Sequence, residues 1–279
     1  PRFRLSVNLY GAPALTLKLD ANAQTTPLAA FDPLNPATTS NYATSATVYD
    51  SLGAPHVEDD QIVLTAGSNQ VLALLADALL DPGDCVLCDA PTYFVFTGLI
   101  ESVGARCIGV PSDEHGMLMP ALQAELERQA AAGTLSRVKA IYVMSYFDNP
   151  RGVSLAAERR AQLVAIAERY SRTHRIYVIE DAAYRELRFT GEDQASVRAY
   201  DAAGETVIYA GTFSKSFCPG LRVGFGIMPR PLAAAVLSLK GNVDFGSPHF
   251  NQCLLGRALE LGLLEPQAER LRELYARKA

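Results

Sequence analysis

Seven short segments of the chain are mostly apolar and rich in β-branched residues. Continuous apolar runs of this length are typical of strands that are buried on both faces of a sheet. The segments occupy residues 62–65, 85–88, 106–110, 140–144, 176–180, 207–210 and 223–227. They predict a sheet of seven strands.

Helical patterns lie between several of these strands. Residues 69–80 and 155–170 carry apolar positions at helical spacing, and the first run ends at the helix-breaking sequence DPGD at 81–84. Alternating strands and helices predict a three-layer α/β fold with a mostly parallel sheet. The loop before the seventh strand contains Pro219-Gly220 and leaves little room for a crossover helix, so we expect that strand to be antiparallel.

The two ends of the chain differ from this central region. Residues 1–55 are rich in Pro, Thr, Ser, Asn and Ala without a clear period, which indicates an extended arm or part of a small domain. A long helical pattern covers 251–278. We therefore predict a large domain over 56–250, with 251–279 as the start of a helix that leads out of it.

Composition narrows the classes of partner. The chain has 279 residues with a net charge of −5, which gives no indication of nucleic acid or an anionic membrane as a partner. No apolar run is long enough to span a bilayer, and no signal pattern is visible.

Five cysteines favour reduced thiols in a cytoplasm. The CxxC pair Cys85 and Cys88 lies within a predicted strand and has no second pair, so we expect no metal site.

The richest chemical pattern is GTFSKSFCPGLR at 211–222. Lys215 follows an apolar strand and can form a Schiff base with a carbonyl. The hydroxyls of Thr212 and Ser214 and the guanidinium of Arg222 can hold a phosphate. A carbonyl and a phosphate in one small cofactor suggest pyridoxal 5′-phosphate (PLP). The alternative is a polar loop with a solvated lysine.

Two further strands end in polar residues. In open α/β sheets, ligands bind beyond the carboxyl ends of the strands. Asp181 can form an ion pair with a protonated pyridine nitrogen, or it can cap a helix. Tyr184 and Asn149 can each hydrogen-bond a phenolate oxygen, although the Asn-Pro-Arg-Gly sequence that begins at Asn149 is also an ordinary turn.

The loops after the first two strands offer an anion site and an aromatic ring. Gly67, Ser68 and Asn69 lie where a strand passes into a helix, and free N–H groups at a helix start bind phosphate. The alternative is that Ser68 simply caps the helix. Tyr93 can lie flat on a pyridine ring, or it can be a core aromatic beside Phe94 and Phe96.

In this order, the segments resemble the class I/II aminotransferases, a PLP-dependent family of fold type I. The matching segments are AGSNQ at 66–70, DAPTYF at 89–94, NPRG at 149–152, EDAAY at 180–184 and GTFSKSFCPGLRVG at 211–224. Within the family, the chain is most similar to the group that includes 2-aminoadipate and aromatic aminotransferases.

The resemblance implies roles for the site residues. Lys215 would form the Schiff base and carry protons, Asp181 would pair with the pyridine nitrogen, and Tyr93 would stack on the ring as part of the catalytic set. Asn149 and Tyr184 would hold the phenolate oxygen. The phosphate would be held by a larger group of residues: Gly67, Ser68, Asn69, Thr212, Ser214 and Arg222.

The resemblance also implies a seven-stranded sheet with one antiparallel strand and a homodimer in which a tyrosine, with Tyr42 as a candidate, reaches the partner's phosphate. Domain 56–250 would be the PLP-binding domain. The family's carboxyl-terminal small domain, with its carboxylate-binding arginine, is expected to be missing here. Asp148 and Arg151 depart from the residues that relatives carry beside the Asn-Pro turn.

The sequence therefore predicts a cytoplasmic aminotransferase of amino acid metabolism, which transfers an amino group from an L-amino acid to a 2-oxo acid. Three alternatives remain open. The same scaffold can catalyse PLP-dependent lyase or decarboxylase reactions, and it also occurs as the effector-binding domain of transcription regulators. The third alternative is a protein that binds the cofactor without turnover and has a structural role.

Overall fold

The computed structural model describes residues 2–8, 14–20, 45–49, 55–57 and 61–278. The first four ranges are strands β1 (Arg2–Asn8), β2 (Ala14–Asp20), β3 (Ser45–Tyr49) and β4 (Pro55–Val57). They form an antiparallel sheet in the order β1-β2-β3-β4. The region in which we expected an extended arm or part of a small domain thus contains four strands, and β1 and β2 carry an alternation of polar and apolar residues that the prediction missed. Tyr42 lies outside the described residues.

The second sheet contains all seven predicted strands. Its strands are β5 (Ile62–Thr65), β6 (Cys85–Ala90), β7 (Arg106–Asp113), β8 (Gly116–Met117), β9 (Val138–Met144), β10 (Tyr177–Asp181), β11 (Val207–Thr212) and β12 (Gly224–Ile227). Their order is β5-β12-β11-β10-β9-β6-β7-β8. The eighth strand, β8, is a two-residue hairpin partner of β7, and it is too short to show an apolar pattern.

Strand directions confirm the predicted mixed sheet. Strands β7, β6, β9, β10 and β11 are parallel neighbours in that order. Strand β12 is antiparallel to both β11 and β5, as the short loop through Pro219 predicted. The parallel strands therefore direct their carboxyl ends to one edge of the sheet, where the polar residues cluster.

Seven α-helices complete the described chain. They are α1 (Ser68–Leu79), α2 (Phe94–Ser102), α3 (Met119–Ala131), α4 (Ala157–Tyr170), α5 (Arg230–Asp244), α6 (His249–Glu260) and α7 (Leu264–Ala276). The predicted helix over 251–278 is therefore two helices. The break falls at Gly262, whose φ of +66° is a left-handed conformation that glycine adopts without strain. None of the described helices has the length and apolar character needed to cross a membrane.

Helices cover both faces of the large sheet, and the strands supply each face alternately. Helices α1, α2 and α5 pack on one face, and α3 and α4 pack on the other. In β9, Tyr142 and Met144 face the first group, whereas Ile141 and Val143 face the second. This burial on two sides explains why the strands appear as unbroken apolar runs, and it fixes the sheet edge that carries the site. The predicted domain boundaries stay predictions.

Candidate active site

Lys215 lies in the loop that follows β11. The buried side chain of Phe213 anchors this loop, and its carbonyl accepts hydrogen bonds from the N–H groups of Phe217 (3.1 Å) and Cys218 (3.0 Å). Lys215 itself is exposed. Its Nζ lies 5.3 Å from the centroid of the Tyr184 ring, within cation–π distance. The loop therefore presents an accessible amine over a fixed aromatic face.

Asp181 is the last residue of β10, and its side chain is buried. Burial raises the pKa of Asp181 to about 6, while hydrogen bonds from Ala183 N–H and Tyr142 and the charge of Lys215 oppose that rise. The Ala183 N–H bond to Oδ1 is 3.1 Å long and closes a local turn. A short 3₁₀ turn, Arg185–Leu187, follows instead of an α-helix, so Asp181 does not cap an α-helix as the alternative required.

Tyr142 is a site residue that sequence reasoning missed. Its hydroxyl donates a 3.0 Å hydrogen bond to Asp181 Oδ2, and its side chain is fully buried against Phe96. A buried tyrosine hydroxyl needs a polar partner. A tyrosine inside an otherwise apolar strand was the signal, but only the pairing of β9 with β10 identifies that partner as Asp181.

An anion site forms between the start of α1 and the loop after β11. Arg222 Nη1 donates to Ser214 Oγ at 3.1 Å, and the Ser214 N–H donates to Thr212 Oγ1 at 3.2 Å. Arg222 Nη2 also donates to the carbonyl of Ala66 at 3.1 Å, which brings the guanidinium to the turn before α1. Two hydroxyls and an arginine thus meet a helix amino terminus, where unpaired N–H groups favour an anion.

The start of α1 fits this purpose better than a simple cap. Gly67 is the N-cap residue, and among the described residues no side chain caps the helix. Ser68 is the first helical residue, so its hydroxyl is not the cap that the alternative required, and Asn69 follows it in exposed position. The first N–H groups of an α-helix have no partner within the helix, so they are available to a ligand.

Gly67 is required at this turn for two reasons. Its φ of +84° is strained for other residues, and a Cβ built on it would lie 2.7 Å from Arg222 Nη2. The missing side chain therefore allows the guanidinium to lie against the turn. Together with the amine of Lys215 and the buried carboxylate of Asp181, this donor set fits the aldehyde, the ring nitrogen and the phosphate of PLP.

Tyr93 lies beside these groups, directly before α2. Burial raises the pKa of Tyr93, the charges of Asp181 and Tyr184 raise it further, and Arg222 lowers it. Its ring packs at the edge of the core cluster that also holds Tyr184. Phe96, and not Tyr93, is the aromatic side chain of this segment that is buried in the core. The Tyr93 ring therefore lies at the border between the core and the candidate site.

Asn149 is the predicted site residue with the weakest connection. Its backbone N–H lies 3.4 Å from Met144 Sδ, beyond the end of β9. Within residues 61–278, no hydrogen bond joins its side chain to Asp181 or Tyr184. The structure thus brings Asn149 to the correct edge of the sheet without a direct contact to the other predicted groups.

The two unusual residues beside Asn149 form an ion pair. Arg151 Nε donates to Asp148 Oδ2 at 2.9 Å, and Asp148 Oδ1 accepts the N–H of Val153 at 2.9 Å. Arg151 also reaches the carbonyl of Asp113 at the end of β7. Asp148 is buried, so its charge requires this partner. The pair therefore balances the buried charge of Asp148 and holds the turn.

Comparison with known proteins agrees with this geometry. The chain is 33% identical over 215 residues to aromatic-amino-acid aminotransferase 1 of Thermococcus litoralis, covering 77% of this chain and 50% of that protein. It is 33% identical over 226 residues to 2-aminoadipate transaminase of Thermus thermophilus, covering 80% and 54%. The structure of Pyrococcus horikoshii kynurenine aminotransferase matches with a TM-score of 0.72 and 33% identity, covering 77% of this chain and 52% of that one.

Other relatives are transcription regulators. The HTH-type transcriptional regulator TauR of Rhodobacter capsulatus is 29% identical over 215 residues, which cover 77% of this chain and 41% of that protein. The chain spans about half the length of the aminotransferases named above. The family described as aminotransferase class I and II matches residues 4–275, nearly the whole chain. This protein therefore belongs to the class I and II aminotransferases, a family whose cofactor is pyridoxal 5′-phosphate.

Proposed function

We propose that this protein is a PLP-dependent aminotransferase that moves an amino group from an L-amino acid to a 2-oxo acid. One observation carries the proposal, namely that an exposed amine, Lys215, and a buried carboxylate, Asp181, stand at the carboxyl ends of the paired parallel strands β11 and β10. Lys215 Nζ lies over the Tyr184 ring, and its charge lowers the pKa of Asp181 against the effect of burial. PLP needs an amine that binds its aldehyde and a carboxylate that pairs with its ring nitrogen, so these two side chains suit it.

When bound, PLP supplies an electron-withdrawing ring that acidifies the Cα–H bond of an attached amino acid. Lys215 would hold the cofactor at C4′ and then move a proton between the substrate Cα and that carbon. Its loop, anchored at Phe213, lets the amine turn between these positions. Asp181 would accept the hydrogen bond of a protonated ring nitrogen and so keep the positive charge there.

The remaining residues would bind and orient the cofactor. Tyr93 would stack on the ring, and Tyr184 and Asn149 would donate hydrogen bonds to the phenolate oxygen. The phosphate would be held by the N-terminal turn of α1 and by the arginine–hydroxyl cluster, through Gly67, Ser68, Asn69, Thr212, Ser214 and Arg222.

We also propose a homodimer. Support comes from large apolar side chains exposed around the junction of α5 and α6, where Phe245 and Phe250 are 95% and 75% exposed. Exposed apolar patches of this kind mark interaction surfaces. Tyr42 remains the candidate for a tyrosine that reaches across to the partner's phosphate. All five cysteines are free thiols, which supports a cytoplasmic location.

The proposal is tested by a half-reaction. The PLP-loaded protein is mixed with one amino acid at a time, without a 2-oxo acid, and the products are separated by chromatography. Aromatic amino acids and 2-aminoadipate are tested first, because relatives are named for them. Transamination leaves pyridoxamine phosphate and one equivalent of 2-oxo acid. A lyase instead releases product continuously and leaves PLP, which would overturn the proposal.

A second function, effector binding in a transcription regulator, is favoured by the relatives of the TauR type. In that case the protein binds PLP but converts little of it to pyridoxamine phosphate with any amino acid. The same half-reaction therefore separates the two functions.

A further inference from the structure

A chain of polar side chains leads from the phosphate turn to the end of α5. Gln70, in the first turns of α1, accepts the N–H of Ala66 at its Oε1 over 2.7 Å. Its Nε2 donates to Asp244 Oδ2, also at 2.7 Å. Asp244 is the last residue of α5 and forms an ion pair with Lys240, one turn earlier on that helix. Gln70 therefore connects the turn before α1 to a charged pair on another helix.

We propose that Gln70, anchored by the Asp244–Lys240 ion pair, is a positioning residue that sets the orientation of the phosphate-binding turn at residues 66–69. This inference rests on the proposed PLP site and identifies what holds that site in shape. The role is distinct from phosphate binding, because Gln70 acts through its bonds to the Ala66 N–H and to Asp244.

The hydrogen bonds of the turn show why Gln70 has this effect. The Ala66 carbonyl accepts from Arg222 Nη2, and the Gly67 carbonyl accepts from Thr65 Oγ1 at 2.9 Å. Gln70 holds a third backbone group, the Ala66 N–H. With these three groups fixed, the peptide planes around Gly67 are fixed as well, and the next N–H groups, of Ser68 and Asn69, are aimed as a set.

The ion pair makes a carboxylate tolerable close to an anion site. A lone carboxylate there would repel a phosphate. Lys240 is buried, with 5% of its surface exposed, and its ammonium lies on Asp244. Burial alone would raise the pKa of Asp244, but hydrogen bonds from Lys240, Gln70 and the Gly246 N–H lower it overall. Asp244 is therefore a stable acceptor for Gln70 whose charge is already balanced.

A positioning role makes a prediction that a purely structural role does not. Removing the Gln70 amide should weaken ligands that carry a phosphate and spare those that lack one. The test is the affinity of the apoprotein for PLP and for pyridoxal, which has the same ring and aldehyde without phosphate, measured by absorbance titration. For Gln70→Ala we expect PLP affinity to fall ~10-fold, as for loss of one or two hydrogen bonds, with pyridoxal affinity unchanged.

Gln123→Ala is the matched control. Gln123 is also a helical glutamine that bonds a residue four positions away, Glu127, but this bond lies on the exposed side of α3. We expect this variant to bind both ligands as the wild type does. Equal PLP affinity in Gln70→Ala and Gln123→Ala, or an equal loss of PLP and pyridoxal affinity in Gln70→Ala, would overturn the inference.

A rescue pair tests the direction of the hydrogen bonds. Gln70→Glu places a second carboxylate against Asp244 and should weaken PLP binding more than Gln70→Ala does. Adding Asp244→Asn restores a donor opposite that carboxylate, so the double variant should regain PLP affinity to within ~3-fold of the wild type. The double variant carries the wild-type net charge at these two positions. If it binds PLP as weakly as Gln70→Glu does, the bond between residues 70 and 244 does not set the turn, and the inference is overturned.

The wild type separates the two proposals. If it binds PLP while the Gln70 variants behave like it, only the positioning role fails. If it binds neither PLP nor pyridoxal, the proposed function fails and the positioning role fails with it.

Discussion

Tyr142 and Asp181 lie on the neighbouring strands β9 and β10, two register positions apart, and share a 3.0 Å hydrogen bond that is closed to solvent. The neighbouring strands are in parallel register, so Tyr142 approaches from the strand interior and Asp181 from the strand end. The hydroxyl fixes one carboxylate oxygen, and the Ala183 N–H fixes the other. The carboxyl group is thereby held in one orientation behind the candidate cofactor ring.

The first prediction concerns this bond. Tyr142→Phe keeps the packing on Phe96 but removes the donor, so the pKa of Asp181 should rise above its value of about 6. Glu180 also raises that pKa, whereas Lys215 lowers it, and both remain in the variant. If ionised Asp181 is the active form, the acid limb of the half-reaction rate moves to higher pH. For a rise of about one pKa unit, the rate at pH 7 falls roughly twofold, and the loss approaches about tenfold at pH 5 and below.

A double-mutant cycle is the control for that prediction. Asp181→Asn should retain PLP but lose most turnover. Tyr142→Phe should then have no further effect in the Asp181→Asn background, because it acts through the carboxylate. Additive losses of rate would show that Tyr142 acts elsewhere.

The second prediction concerns Gly67. An alanine there meets the Arg222 guanidinium and has an unfavourable φ, so Gly67→Ala should weaken PLP binding at least ~10-fold, from strain of about 1–3 kcal/mol. Gly83→Ala is the matched control, because Gly83 has a φ of +88° but nothing within 4 Å of an added Cβ. Both variants should lose some thermal stability, and only Gly67→Ala should lose PLP. Weak PLP binding in both would attribute the effect to stability alone.

Much of this fold could be predicted because a strand that is buried on two faces has a continuous run of apolar residues. All seven central strands are unbroken apolar runs, and the loop through Pro219 gave the direction of β12. The four strands within residues 2–57 were not predicted, although β1 (RFRLSVN) and β2 (ALTLKLD) alternate polar and apolar residues with the period of a strand. The surrounding Pro, Thr, Ser, Asn and Ala residues obscured these two short segments. The break at Gly262 was missed because Leu, Glu and Arg on both sides continue a helical pattern.

The candidate site could be predicted where chemistry follows a strand end, and not where it depends on a contact across the sheet. Asp181 ends an apolar strand and Lys215 follows one closely, so their positions were visible, and Arg222 was visible from its place in the loop before β12. Tyr142 lies inside a strand, and its partner is known only once β9 and β10 are paired. The Gln70–Asp244 bond joins residues 174 positions apart, a distance over which no local pattern extends.

The third prediction concerns pH and folding. Asp89, at the end of β6, is 4% exposed, and burial raises its pKa to about 7 despite a hydrogen bond from Ser112 Oγ. Because the folded-state pKa lies above the unfolded value, the protonated group favours folding below about pH 4. That contribution is lost as the pH rises through 7. The stability lost over this range is roughly up to 4 kcal/mol.

Asp89→Asn should lack this dependence. Urea unfolding from pH 4 to pH 8 should therefore show the variant gaining stability relative to the wild type as the pH rises, whatever their difference at pH 4. Parallel curves for the two proteins would contradict the assignment to Asp89.

The central claim is that the Lys215 amine carries the cofactor. The PLP-loaded protein is reduced with borohydride, digested and examined by mass spectrometry, with Lys215→Ala and Lys139→Ala treated in parallel. We predict a stable phosphopyridoxyl group on the peptide that contains Lys215, present in Lys139→Ala and absent in Lys215→Ala. A modified peptide that contains a different lysine in the wild type, or unchanged labelling of Lys215→Ala, would contradict the claim.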